Sequence, residues 1–255
     1  MIQVEKVGHY FSVAPVLKDI SFSVEPGELL AVVGPNGMGK STLLAIIAGL
    51  IYPTDGHITI DGLRRRSTEA AELSIRQKVF YLPSSPWLPD VLTGIEWLVA
   101  VAQIYSVPLP RAVDHANQLL ALFDLTPQAK TDIKSYSTGQ KSKLAISAAL
   151  ISEAPILILD EPFSGGLDPS AIVALKRILL HHAAKKDRTI LFATPVPQLV
   201  AEVATRVAII SHGRLTHLDT IPNLLAQTQT TTFEDAYQSL LQSQSTTALN
   251  DYLKA

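Results

Sequence analysis

Nine consecutive residues carry the most specific chemistry in this 255-residue chain: Gly34, Pro35, Asn36, Gly37, Met38, Gly39, Lys40, Ser41 and Thr42. They satisfy the pattern G-x-x-x-x-G-K-[ST] of a phosphate-binding loop. Glycines at these positions let backbone N–H groups turn inward and form an anion-binding nest, and a following helix adds the partial positive charge of its N-terminus. Lys40 can then reach the β- and γ-phosphates of a nucleoside triphosphate, and the Ser41 hydroxyl can ligate Mg²⁺. An accidental match in a chain of this length is expected only about once in a hundred, given average residue usage. The residues therefore imply a nucleoside triphosphate site.

Two further segments could act on the same ligand. Ile156 to Leu159 is an apolar run that ends in the carboxylates Asp160 and Glu161 and then Pro162. In a parallel sheet the C-terminal end of such a strand lies where ligands bind. Asp160 could hold Mg²⁺ there, directly or through water, and Glu161 could polarise a water for attack on the γ-phosphate. Tyr136, Ser137, Thr138, Gly139 and Gln140 lie on a loop opening a helix, again a natural phosphate contact.

The flanks must position these groups. Leu29 to Val33 reads as a buried strand before the phosphate loop, and Thr42 to Ala48 as a helix after it, with Gly49 at a left-handed cap. Ile2 to Phe11 and Leu17 to Val24 alternate apolar with polar residues, as half-exposed strands do. His57 to Ile60 and Lys78 to Leu82 are further strands, followed by a proline-studded loop from Pro83 to Pro89. Thr93 and Glu96 form a capping-box pattern for a helix running to Tyr105; Arg111 to Phe123 is helical, and Ser137 caps a helix through Ser152. A helix is expected to start near Pro169. Strand signals return at Ile156 to Leu159, Thr189 to Ala193 and Val207 to Ile210. Thr232 and Asp235 would cap a short amphipathic helix carrying Phe233, Tyr237, Leu240 and Leu241.

The pattern predicts an α/β chain with a mostly parallel sheet, an N-terminal antiparallel β subdomain and a helical subdomain inserted at about 86–151. The nucleotide-binding unit would cover 1–219, with a C-terminal helical extension over 220–255. A net charge of −2 offers no electrostatic case for a nucleic-acid partner, and the run Arg64 to Arg66 reads as a solvated surface turn. With no cysteine, disulfide and thiolate chemistry are excluded. No apolar run approaches the ~20 residues that span a bilayer, so a membrane role is expected to come through a partner.

Taken together these segments resemble the ATP-binding cassette proteins, the nucleotide-binding subunits of ABC transporters, over nearly the whole chain to about Leu218. The resemblance implies a P-loop NTPase core that binds ATP and Mg²⁺. Gly34 to Thr42 would be its Walker A motif, Asp160 and Glu161 its Walker B motif with the catalytic glutamate, and Ser41 and Asp160 its metal ligands. Phe11, or else Tyr10, would stack on adenine. Tyr136 to Gln140 would be the signature sequence, which in the family contacts ATP held by an opposite cassette. Two cassettes, in a homo- or heterodimer, would thus drive an integral membrane permease from its cytoplasmic face. The Tyr-Ser opening of the signature and the run Asp160 to Ser164 look most like cassettes of ABC-2-type exporters.

Three positions depart from that family pattern. Ser84 stands where a glutamine usually completes the metal shell. Pro195 stands where a histidine usually bonds the γ-phosphate, and the Ser164–Asp168 loop carries one extra glycine. His212 and His217 are too far along to replace that histidine. Proline offers no donor, so ATP is expected to bind while hydrolysis at this site is impaired. The other reading is a weakly hydrolysing or non-catalytic cassette that closes a dimer on ATP while a partner supplies the competent site.

Overall fold

A computed structural model describes residues 1–241. The chain opens with β1 (Ile2–Tyr10), β2 (Pro15–Val24), β3 (Leu29–Val33), α1 (Lys40–Ala48), β4 (Asp55–Ile60) and β5 (Leu63–Arg64). It continues through α2 (Glu69–Lys78), β6 (Val79–Leu82), α3 (Gly94–Ile104), α4 (Leu109–Leu122), α5 (Thr138–Ile151) and β7 (Ile156–Asp160). The last part comprises α6 (Pro169–Lys185), β8 (Thr189–Ala193), α7 (Pro197–Val203), β9 (Arg206–Ser211), β10 (Arg214–Asp219), α8 (Ile221–Thr228) and α9 (Phe233–Leu241).

Two sheets divide the strands. One is antiparallel, in the order β2-β1-β4-β5, and the other runs β10-β9-β3-β8-β7-β6. In the second, β9, β3, β8, β7 and β6 pair in parallel, and β10 adds antiparallel to the edge. Strands β3, β7 and β8 are buried along their whole length, as expected for a parallel sheet covered on both faces. This is the predicted α/β architecture. The crossover topology brings the C-terminal ends of β3, β7 and β8 to one edge, where chemistry on such sheets is placed.

The sheet separates two cores. One holds Leu30, Val32, Leu43, Leu44 and Ile47 with the inner face of the antiparallel sheet, including Ile2, Val4 and Ile60. The other holds Leu29, Ala31 and Leu159 with α3, α4, α5 and α7. Phe123 is fully buried in this second core, near where α4 ends and the chain turns toward α5. The capping boxes predicted from Thr93–Glu96 and Ser137–Gln140 both form. Thr232 caps α9 by accepting from Asp235 N at 3.2 Å. The rest of the expected C-terminal extension, 242–255, lies outside the described residues.

The reading of Arg64 to Arg66 as a solvated turn is corrected at Arg65, while Arg64 and Arg66 are exposed as expected. Arg65 is only 9% exposed. Its Nε donates to Ile47 O at the C-terminal end of α1 (2.7 Å), and its Nη1 pairs with Glu72 of α2 (2.9 Å). Arg66 reaches Gly49 O at 2.9 Å and lies over the Tyr52 ring. The cations sit against the negative end of the α1 dipole, which a count of charges along the sequence does not reveal.

Candidate functional site

The phosphate loop leaves β3 at Gly34, where a Cβ would stand 2.1 Å from Ile210 O. Only glycine lets the loop pass that close to β9. Gly39 sits at φ 94° as the N-cap of α1, and no side chain caps the helix. The first N–H groups of α1 are therefore free to face an anion. Beside Gly37, at φ 78°, an added Cβ would meet only open space. Lys40 is buried, and its Nζ donates to Gly34 O (2.7 Å) and Pro35 O (3.0 Å), lying along the inside of the loop. Burial lowers the Lys40 pKa, while Glu161 and Asp160 act in the opposite direction and favour its charged form. The lysine and the two carboxylates thus share one site.

Asp160 ends β7 and is 2% exposed. Burial raises its pKa, offset in part by the Ser41 hydroxyl, the Lys40 charge and the Ser84 backbone amide. Its Oδ1 is buried without a partner. An orphaned carboxylate oxygen beside a serine hydroxyl is the donor set a hard cation such as Mg²⁺ takes, so these residues fit the ion. Tyr81, which the sequence reading did not single out, sits in β6 near Asp160. Burial first, and the Asp160 charge second, push its pKa up to about 12, so the phenol stays neutral.

Glu161 follows in the left-handed region at φ 51°, with its N–H bonded to Ala193 O (2.9 Å). A non-glycine residue in that region is uncommon. It turns the carboxylate out of the strand direction, and Oε2 accepts from the Ser164 hydroxyl at 3.2 Å. On the neighbouring strand, Thr194 N donates to Val32 O (3.4 Å) and its Oγ1 accepts from Val196 N (3.2 Å). Pro195 lies between them and offers no donor. His212 N donates to Met38 Sδ at 3.3 Å, so that residue is beside the phosphate loop after all. It arrives from β9, on the side of β3 away from β8 and Pro195.

The β9–β10 turn also fastens the start of β2, since Gly213 O accepts from Lys18 N at 2.7 Å. A Cβ on Gly39 would lie 2.7 Å from Leu17 Cδ2. The start of β2, just after the bend that carries Phe11, therefore adjoins the phosphate loop. Phe11 is 65% exposed.

Ser137 to Gln140 open α5. Gln140 Oε1 accepts from Ser137 N (2.8 Å), and Ser137 Oγ accepts from Gln140 N (3.3 Å), which leaves the exposed Ser137 hydroxyl proton free to donate outward. This segment packs on the 164–168 loop rather than on the phosphate loop. A Cβ on Gly139 would meet Gly166 O at 2.6 Å, Ser142 Oγ donates to Gly165 O (2.8 Å), and Lys143 pairs with Asp168 (2.5 Å). Lys143, the Ser170 hydroxyl and the Ala171 N–H hold the Asp168 carboxyl far below the usual range. Both inserted-loop glycines adopt φ 76°, so the extra residue is absorbed by left-handed backbone.

A family model described as "ABC transporter" matches residues 17–164, more than half of the chain and the whole stretch from β2 to Ser164. The chain belongs to the ABC transporter family. It is 36% identical over 193 residues to "Cytochrome c biogenesis ATP-binding export protein CcmA" of Xylella fastidiosa, covering 76% of this chain and 82% of that protein. Among solved structures, "Structure of ATP binding subunit of ABC transporter" superposes with a TM-score of 0.86 at 30% identity, over 94% of this cassette and 99% of that chain. A dimeric post-hydrolysis structure of the ATP-binding cassette MJ0796, bound to ADP and Pi, shares the fold. Its TM-score is 0.77 at 23% identity, over 86% of this chain and 98% of that one. This chain is an ABC ATP-binding subunit, and among its described residues no helix is long and apolar enough to cross a membrane.

Proposed function

We propose that this cassette binds and hydrolyses ATP to drive a separate membrane permease of the exporter type. One observation carries the reading: an uncapped α1 N-terminus, the buried Lys40 and the Asp160–Glu161 pair converge at one edge of the parallel sheet. The similarity to the Xylella export protein supports export. In this reading the amides of Gly34 to Thr42 cradle the phosphates, and Lys40 neutralises the β- and γ-phosphates. Ser41 and Asp160 hold Mg²⁺, which when bound neutralises developing charge. Glu161 takes the proton of the attacking water, and Phe11 stacks on the base. Ser137 to Gln140 would complete the site of a second cassette, as the dimeric form of the related structure suggests. We assign residues 1–219 to the ATP-binding unit, with the helical subdomain at about 86–151, and place the cassette on the cytoplasmic face through its permease.

The test is Mg²⁺-dependent phosphate release by the purified full chain, alone and with its permease in a bilayer. Turnover above a Lys40→Ala blank, raised by the permease, supports the reading, and a chain that fails to bind ATP overturns it.

Pro195 sets a limit on that rate. A missing transition-state donor slows chemistry by about 10²–10³-fold in oxyanion-hole deletions. Pro195→His is expected to raise kcat about tenfold or more while leaving ATP affinity nearly unchanged, because the new donor matters most as charge develops. Steady-state kinetics of the two proteins decide it: equal kcat values would show that Pro195 does not limit turnover.

A further inference from the structure

His9 is the least explained buried polar residue near the site. It is 8% exposed, and neither ring nitrogen has a hydrogen-bond partner. A buried imidazole without partners loses hydration and gains nothing in exchange, so the antiparallel sheet alone gives no reason for it. Its ring does make one specific contact. The His9 and Phe11 ring centroids are 4.6 Å apart at 82°, an edge-to-face pair.

The sequence of β1 explains how the two rings meet. Ile2 and Val4 face the core, and strict alternation would send residues 6, 8 and 10 after them. Lys6 instead adopts φ 48°, and the register against β2 shifts between Val4 and Val7. Further shifts follow between Val7 and His9 and between His9 and Tyr10, so the regular alternation of faces is broken along this end of β1. Val7, Gly8 and His9 are all buried, Tyr10 is exposed, and Phe11, just past the strand, brings its ring against that of His9.

Phe11 begins the short bend before Pro15, and a ring this exposed on a bend would otherwise sample several rotamers. His9 is buried, so packing around it restricts its ring. We infer that His9 is a positioning residue for nucleotide recognition: its imidazole braces the Phe11 ring so that the aromatic face is set in advance for the nucleobase. The inference rests on Phe11 being the base platform. Pre-organisation of a contact side chain strengthens binding by removing the ordering it would otherwise require.

Three variants of the full chain test this, with ATP and inorganic tripolyphosphate as calorimetric probes. His9→Leu keeps apolar volume but removes the aromatic edge. It should bind ATP about three- to tenfold more weakly, the range that edge-to-face pairs span, yet bind tripolyphosphate as the wild type does. His9→Phe restores an aromatic partner and should restore ATP affinity. Phe11→Ala should weaken ATP, again without affecting tripolyphosphate. If Phe11→Ala weakens ATP but His9→Leu does not, the bracing role is wrong while the platform stands. If Phe11→Ala binds ATP normally, both fail. Equal losses for ATP and tripolyphosphate in His9→Leu, or no rescue by His9→Phe, would mark the residue as merely structural and overturn the inference.

Discussion

Lys40→Ala is expected to weaken Mg-ATP binding about 100-fold, as loss of a charged hydrogen bond worth ~3 kcal/mol would do. The reason is geometric. Lys40 is the cation that lies inside the phosphate loop, with Nζ on Gly34 O and Pro35 O, close enough to Asp160 and Glu161 to feel both charges. Removing it leaves a cradle of amides facing two carboxylates, which repel a triphosphate. The fold should survive, because the side chain bonds only the loop carbonyls five and six residues before it. Isothermal titration with ATP, beside a thermal melt, gives the answer. Wild-type affinity in a folded variant would remove the phosphate-loop assignment and the proposed function with it.

The second large effect falls on chemistry rather than binding. Glu161→Gln should reduce ATP turnover about 10²–10⁴-fold, the usual contribution of a general base, with ATP affinity close to wild type. The amide preserves the shape and can keep the bond from the Ser164 hydroxyl, but it cannot accept a proton. Hydrolysis being blocked, ATP should then hold two cassettes together if Ser137 to Gln140 complete a partner's site. Single-turnover phosphate release and light scattering with and without ATP measure the two parts. Turnover within a few-fold of wild type would assign the base elsewhere. A species that stays monomeric in ATP with every plausible partner cassette present would remove the shared site.

Much of this was legible in the residues because the chemistry is local in sequence. The loop Gly34 to Thr42 carries its own spacing, and the fully apolar β3, β7 and β8 announce a sheet buried on both faces. The caps at Thr93 and Ser137 were readable for the same reason. What escaped depends on tertiary context. Helix α2 buries only Ala71, Glu72 and Ile75, too narrow a stripe to stand out. Helix α7 is seven residues long and opens on a proline, which hides it, whereas α8 falls within the helical extension expected over 220–255. The pairing of His9 with Phe11 lies where the β1 register shifts repeatedly, which no alternation rule foresees. The neutral Tyr81 beside Asp160 arises because β6 and β7 are neighbours in space and far apart in sequence.

The buried Arg65 has a consequence for how this chain can vary. Gly49 caps α1 at φ 85°, and a Cβ there would lie 2.4 Å from Arg65 Nη1. The two positions are therefore contingent on each other. While arginine fills the space, a side chain at 49 requires the guanidinium to shift and strain its bonds to Ile47 O and Glu72; once a smaller residue replaces it, that cost disappears and only the backbone strain remains. Substitutions at 49 and 65 should combine non-additively, as expected for residues in contact. The order in which a lineage acquires them then matters, with 65 changing before 49.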